Sequence, residues 1–268
     1  MLKKIRVLFA VVIGAMITFY FLDIAGLTAG WPNLARLQFV PALLSGSFVV
    51  LIALLLATVL FGRIYCSVIC PLGIFQDVAA WVAKKINRKK HYNYSPEKQT
   101  LRYGVLGGVI VSFFIGATVL LSLTDPYSAY GRMVVNVLRP LYLLANNLLA
   151  WGFNSFGNYA FYHMDIYILS VSSFVVGVIT FVLIAFLAWR YGRTWCNTAC
   201  PVGTLLGFFA RYSIWRIQID VQKCVKCGLC ERKCKAGCID SKLKKVDHSR
   251  CVDCYNCLSV CHHHALKY

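Results

Sequence analysis

Gly62-Arg63-Ile64-Tyr65-Cys66-Ser67-Val68-Ile69-Cys70-Pro71-Leu72-Gly73 returns 130 residues later as Gly192-Arg193-Thr194-Trp195-Cys196-Asn197-Thr198-Ala199-Cys200-Pro201-Val202-Gly203. Six of the twelve positions are identical, and an aromatic residue precedes the first cysteine in both copies. Each copy follows a long apolar run and leads into an amphipathic stretch. Two halves of one architecture are expected, each ending in a Cys-x3-Cys-Pro loop. Proline suits the first helical position, which needs no N–H. Cys70 and Cys200 therefore fall at helix N-termini, where the dipole and free N–H groups favour a thiolate or an anionic cluster.

Composition agrees with a membrane chain. Of 268 residues, 59% are hydrophobic and only 14% charged, against about 25% charged in soluble domains. The net charge of +18 belongs to Lys and Arg flanking apolar runs, which is the positive-inside pattern rather than a nucleic-acid surface. Four runs have the length to approach about 30 Å of hydrocarbon: Ile5–Leu22, Val40–Phe61, Leu101–Leu123 and Ile166–Trp189. With the N-terminus cytoplasmic, the basic clusters all fall on one side. They are Lys3, Lys4 and Arg6; Arg63 with Lys84, Lys85, Arg88, Lys89 and Lys90; Lys98 and Arg102; and Arg190 and Arg193. The leading run shows no small-residue cleavage site before Asp23 and reads as an uncleaved first span. Met133–Trp151, broken by Asn136, Arg139, Pro140, Asn146 and Asn147, reads as a re-entrant or interfacial helix. A fifth crossing there would put the two Cys loops on opposite faces. The halves are 1–98 and 99–219, joined through the polar stretch His91–Gln99 and related by a pseudo-two-fold axis along the membrane normal.

Nine of the 13 cysteines lie in residues 220–268. Eight of them spell Cys224-x2-Cys227-x2-Cys230-x3-Cys234 and Cys251-x2-Cys254-x2-Cys257-x3-Cys261, the two-cluster ferredoxin spacing. In it the fourth cysteine of each run ligates the other cluster. Cys224, Cys227, Cys230 and Cys261 are assigned to one [4Fe–4S] cluster, and Cys251, Cys254, Cys257 and Cys234 to the second. Lys235 and His262 stand where proline usually follows the fourth cysteine. Cys238 is left as a spare buried thiol. Structural zinc fits this spacing poorly, and Cys257-x3-Cys261-His262 is one residue too long for c-type haem attachment. Cys66, Cys70, Cys196 and Cys200, brought together by the repeat, are expected to hold one further Fe–S cluster. Redox-active or purely structural thiol pairs are the alternative.

The paired Gly-Arg-x-aromatic-Cys-x3-Cys-Pro loops with the ferredoxin tail resemble the membrane-bound 4Fe–4S proteins that include NapH and the C-terminal half of NosR. The resemblance covers nearly the whole chain. It implies the twelve cysteines as ligands and electron transfer between the quinone pool and other redox partners, as in a quinol dehydrogenase-type subunit. The outer flavin domain of NosR-like members has no counterpart. Ile115-Gly116-Ala117-Thr118 lacks the leading Ser or Thr of a flavin-attachment sequence. The expected fold is an all-α membrane unit of four transmembrane helices in two parallel repeats with a C-terminal α+β 2[4Fe–4S] ferredoxin-like domain, in the inner membrane with both the N-terminus and the tail cytoplasmic. The tail carries ten Lys or Arg against five Asp or Glu, which suits an acidic carrier such as ferredoxin or flavodoxin.

Other residues carry weaker signals. Arg36, Arg132 and Arg139 could donate to a quinone carbonyl, and His163 and Asp165 could exchange protons, but snorkelling and solvent exposure are the commoner fates. Trp31, Tyr127, Tyr130, Trp151, Tyr159 and Tyr162 suit an interfacial belt. Asp77 and His262–His264 read as solvent-facing. A redox sensor or metal-centre assembly factor, and a membrane thiol-disulfide relay, are the rival functions.

Overall fold

The structure, a computed structural model, describes residues 1–23, 33–87, 91–155, 162–166 and 170–268. Trp31, Tyr159 and the basic run 88–90 lie outside the described residues.

The first helix, α1 (Leu2–Leu22), buries one stripe, Arg6, Ala10, Gly14 and Ile17. The rest of its surface is exposed and apolar, as at Leu8 and Val11. The spacing of four, four and three places the stripe on one helix face, and its small residues admit a close neighbour. Gly14 lies against Ile74, where an added Cβ would come within 3.2 Å. Short helices α2 (Asn33–Arg36) and α3 (Phe39–Leu44) lead to α4 (Phe48–Phe61). The first Cys loop contains a single helical turn, α5 (Tyr65–Val68), and α6 (Pro71–Ile86) follows. Next come α7 (Gln99–Phe114), α8 (Val119–Thr124), α9 (Pro126–Met133), a π-turn at Val134–Leu138 and α10 (Arg139–Ser155). The second loop lies between α11 (Val171–Tyr191) and α13 (Pro201–Ala210), with the short α12 (Thr194–Thr198) inside it.

Among the described residues three helices are long and apolar enough to cross a membrane: Leu2–Leu22, Pro126–Asn154 and Val171–Tyr191. Two of the four expected runs are interrupted. Val40–Phe61 breaks at Ser45–Ser47, where Gly46 takes a left-handed turn (φ 68°). Leu101–Leu123 ends its first helix at Phe114 and turns at Gly116 (φ 86°), with Ala117 N–H donating to the Ser112 carbonyl at 2.9 Å. Both are glycine-dependent helix stops, which an uninterrupted apolar composition conceals. The Met133–Trp151 region is a continuous helical rod, not a broken one. Pro140 lacks an N–H, and the π-turn just before it shifts the hydrogen-bond register, with Arg139 N–H reaching the Val134 carbonyl. Asn136 donates to the Arg132 carbonyl at 2.9 Å and to Ser173 Oγ at 3.3 Å.

α1 packs on α5 and α6, and α7 packs on α12 and α13. Across the halves, α4 packs on α13 and α11 packs on α6. α9 packs on α11 and α6, and Tyr130 meets Thr18 near the C-terminal end of α1 (2.7 Å between hydroxyls).

The tail is built from two two-stranded antiparallel pairs and short helical turns. β1 (Gln218–Ile219) pairs with β4 (Leu266–Lys267), and β2 (Ile239–Asp240) with β3 (Lys245–Val246). α14 (Leu229–Lys233) lies between the pairs in sequence. The tail is fixed to the bundle. Ile214 and Trp215 N–H groups donate to the Val59 and Leu60 carbonyls (3.0 and 2.9 Å), and Trp215 stacks on Phe61. The polar stretch after α6 runs extended along the tail, with Ser95 N–H on the Gly237 carbonyl.

Candidate iron–sulfur centres

Both Cys loops begin at a glycine in the left-handed region, Gly62 (φ 74°) and Gly192 (φ 75°). The conformation favours glycine, and so does the space. A Cβ at Gly62 would run into the Asp253 carboxylate, and one at Gly192 into the Lys235 carbonyl. The loops therefore start where the tail touches them. Arg63 N–H donates to Asp253 Oδ2 (3.0 Å), Arg193 N–H to the Lys235 carbonyl (2.8 Å), and Asn197 Nδ2 to the Ala236 carbonyl (3.1 Å).

The two arginines are fully buried and reach across to the opposite loop. Arg63 Nη2 donates to the Cys196 carbonyl (3.1 Å), and Arg193 Nη1 to the Cys66 carbonyl. Gly73 and Gly203 leave room for them: an added Cβ would lie 3.0 Å from Arg193 Nη1 or 2.7 Å from Arg63 Nη2. Arg63 also donates to Asn197 Oδ1 (2.9 Å) and the Ser249 carbonyl (3.0 Å), and its Nη2 lies 3.7 Å from Cys66 Sγ. Gln76 Nε2 donates to Cys196 Sγ (3.1 Å).

Cys66, Cys70, Cys196 and Cys200 are all buried. Cys70 and Cys200 cap α6 and α13, each followed by proline, and Gly203 N–H donates to Cys200 Sγ (3.3 Å). Burial pushes the Cys70 and Cys200 thiols well up, and the Cys196 and Cys66 thiols add to this. Burial works against the Arg63 charge, but Cys66 and Cys196 outweigh it. The four sulfurs thus lie within electrostatic reach of one another. Arg63 Nε and Arg193 Nη2 are buried with no hydrogen-bond partner among the described residues, a costly arrangement that an anionic group between the loops would relieve. The residues fit an anionic, thiolate-ligated cluster.

Asp77, expected to face solvent, is buried. Arg6 (3.0 Å), Arg193 (2.6 Å) and Lys235 (2.8 Å) converge on its carboxylate. Burial opposes its charge, but Arg193, Lys235 and Arg6 hold the carboxyl well below the usual range. Arg6 is thus a buried partner rather than a surface charge. At the matching place in the second half Arg102 lies against Gly207, 2.6 Å from an added Cβ, and pairs with Glu97 instead.

In the tail, one cavity is lined by Cys224, Cys227, Cys230 and Cys261, with Gly228 and Ser241 among its other walls. These are three cysteines of the first run and the last of the second. Cys234, Cys251, Cys254 and Cys257 are buried together, and after burial itself the Cys254, Cys251 and Cys234 thiols raise that of Cys257. Among the described residues no three His, Cys, Asp or Glu side chains are close enough to hold a single metal ion. A [4Fe–4S] cluster, with iron and sulfide at alternate corners and one thiolate on each iron, would space its thiolates more widely than one ion does. Cys238 is buried as expected, but in contact: its Sγ lies 3.5 Å from Cys234 Sγ.

The remaining candidates do not join these centres. Arg132 caps α8 through the Ser122 carbonyl (2.9 Å). Arg36, His163, Asp165, Trp151, Tyr162 and His262–His264 are exposed, Arg139 and Tyr127 half-buried, and Tyr127 and Tyr130 pack against Phe21.

A 4Fe–4S binding domain family matches residues 43–89 and again 173–218, one match over each Cys loop. The ferredoxin-type protein NapH of Haemophilus influenzae is 27% identical over 226 residues, covering 81% of this chain and 66% of that protein. The chain is thus similar to ferredoxin-type 4Fe–4S proteins. The methylamine utilization ferredoxin-type protein MauN of Paracoccus denitrificans is 26% identical, over 77% of this chain and 56% of its own. An uncharacterized protein of Methanocaldococcus jannaschii is 38% identical over 99 residues, 37% of this chain and 39% of that one. The chain spans two thirds or less of the length of these relatives. No solved structure matches it.

Proposed function

We propose that this chain passes single electrons between a membrane redox partner, such as the quinone pool, and a protein partner, through three iron–sulfur sites in series. The contact between the Cys loops and the tail carries this reading: Arg63 N–H on Asp253 and Arg193 N–H on the Lys235 carbonyl. These bonds hold Cys66, Cys70, Cys196 and Cys200 next to the buried set Cys234, Cys251, Cys254 and Cys257. The half-exposed set Cys224, Cys227, Cys230 and Cys261 is read as the outermost site because it is the least buried of the three. The clusters, when bound, supply one-electron chemistry. The chain supplies thiolates, excludes water from the inner two sites, and places Arg63 and Arg193 to balance charge at the first.

We read the bundle as four crossings, α1, α4, α7 and α11, in two parallel repeats, with the Cys loops and tail on the cytoplasmic side of the inner membrane. The equivalent packing of α1 on α5 and α6 and of α7 on α12 and α13 supports this. α4 and α7 have 14 and 16 residues, about 21 and 24 Å of rise, so the flanking short helices complete the depth.

A thiol relay suits the geometry less well. Reactive cysteines are partly exposed with lowered pKa, whereas Cys70 and Cys200 are buried and pushed up. The test is iron and acid-labile sulfide on anaerobically purified protein, beside a variant lacking Cys66, Cys70, Cys196 and Cys200. Two cubanes give about eight iron atoms. Wild-type content clearly above that, dropping to it in the variant, is expected. Equal content in both would leave the loop cysteines cluster-free.

A further inference from the structure

The two cysteine sets of the tail differ in what surrounds them. The inner set is enclosed by contacts to the bundle. Around the outer set Cys227 is exposed, and Val225 and Leu229 line the same cavity with their outer sides in solvent. The tip of the β2–β3 hairpin extends this apolar surface. Lys244 Nζ donates to the Val221 carbonyl (2.6 Å), tying the hairpin to this segment, and the Leu243 and Val221 side chains are 67% and 61% exposed. No described hydrogen bond or ion pair joins residues 221–230 to the helical bundle.

Lysines outnumber acids around this surface, and the acids, Asp220, Asp240 and Glu231, are each turned to local hydrogen bonds. Asp220 Oδ1 accepts from the Gln222 and Lys223 N–H groups (3.1 and 3.4 Å). Asp240 Oδ1 accepts from Lys242 and Leu243 N–H (2.9 and 3.0 Å). Glu231 accepts from Ser241 N–H (3.1 Å) and from its hydroxyl. Lys223, Lys226, Lys242 and Lys245 remain exposed. An apolar centre with a net basic rim is the anatomy of an electrostatically steered docking face.

We infer that the surface formed by Val221, Val225, Leu229 and Leu243, ringed by Lys223, Lys226, Lys242 and Lys245, docks an acidic soluble protein that carries single electrons. The inference rests on the electron-transfer reading and adds the exit and the partner's charge. The basic rim steers the carrier and sets its on-rate. The apolar centre lets the carrier approach Cys227 without an intervening layer of charge.

The test uses the full chain in nanodiscs of neutral lipid, reduced with dithionite and mixed with oxidised flavodoxin as the acidic probe or cytochrome c as the basic one. The wild-type flavodoxin rate should fall as salt rises, since exposed charges are screened beyond about 10 Å at 0.1 M. Reversing Lys223, Lys226, Lys242 and Lys245 to Glu should slow flavodoxin by about tenfold or more at low salt and invert its salt dependence, with iron content unchanged. If the fourfold variant loses iron, Lys242→Glu with Lys245→Glu, outside the cysteine runs, makes the same comparison. An unchanged flavodoxin rate, or faster reaction with cytochrome c in the wild type, overturns the docking face. So does retention of anionic vesicles by these lysines when the flavodoxin rate ignores them, which would assign the face to lipid. Failure of the electron-transfer reading is a separate result: wild-type protein with fewer than about eight irons, or clusters that dithionite cannot reduce.

Discussion

Arg63 and Arg193 each hydrogen-bond the backbone of the other's loop: Arg63 Nη2 reaches the Cys196 carbonyl and Arg193 Nη1 the Cys66 carbonyl. The exchange locks two segments 130 residues apart into one site. Lysine keeps the charge but lacks the planar guanidinium fork that meets several fixed acceptors at once. Arg63→Lys would lose contacts to Asn197, Ser249 and Cys196 together. Iron should fall toward the content of the protein lacking the four loop cysteines, while the tail's iron is kept. Full iron retention in both Arg63→Lys and Arg193→Lys would show that the crossing serves packing alone.

Asp77 is the counter-charge for three cations from α1, the second loop and the tail. Asp77→Asn keeps the shape and leaves Arg6, Arg193 and Lys235 unbalanced. Breaking a buried pair of this kind costs about 3–5 kcal/mol, to be read as a lower unfolding midpoint in detergent. The pH sign is also fixed. The folded pKa is depressed, so the stabilisation is complete above the unfolded value of about 3.9 and is lost only as pH falls through the folded one. Asp77 should therefore contribute no slope between about pH 5 and 8, and wild type and Asp77→Asn should differ by a constant amount across that window.

Gly62→Ala and Gly192→Ala test the seating of the tail. Each adds a Cβ to a left-handed residue, costing about 1–2 kcal/mol, and drives it into Asp253 or the Lys235 carbonyl. The tail should loosen before the bundle does. Limited proteolysis should cut faster between Ser213 and Asp220 than in wild type. Gly46→Ala, with the same backbone sign but open space around it, should leave that cleavage unchanged.

The Cys loops and the tail were legible because their chemistry depends on local spacing. Cys-x2-Cys-x2-Cys and Gly-Arg-x-aromatic-Cys-x3-Cys-Pro need no knowledge of distant partners. Arg63 and Arg193 were legible as basic charges flanking the apolar runs. Their crossing was not, since spacing within a loop says nothing about what lies opposite. Asp77 was missed for the same reason: its partners come from residues 6, 193 and 235, and one acid in an amphipathic helix looks solvated. A clue existed in the charge balance, because a chain of net charge +18 with ten acids has few counter-ions for the arginines it buries. Lys235, noted only as a departure from proline, binds Asp77 through its side chain and Arg193 through its carbonyl. The helix breaks at Gly46 and Gly116 were hidden by flanking apolar residues, since glycine tolerates both a helix interior and its end.

The same breaks make the topology testable. If α1, α4, α7 and α11 are the four crossings, the turns at Gly46 and Gly116 and the segment around Met164 all face outward, and the stretch around Asn93 faces inward. The Pro126–Asn154 rod then begins within the membrane depth and returns to the side it faces. Its contacts agree, since Tyr130 meets Thr18 and Asn136 meets Ser173, near the outer ends of α1 and α11 under this reading. Reporter fusions after Gly116 and after Met164 should both be active outside, and a fusion after Asn93 inside. An inward Met164 with an outward Gly116 would make the rod a fifth crossing. That would separate the two Cys loops across the bilayer, which the hydrogen bonds of Arg63 to Cys196 and of Arg193 to Cys66 forbid. Such a result would therefore overturn the paired-loop site together with the topology.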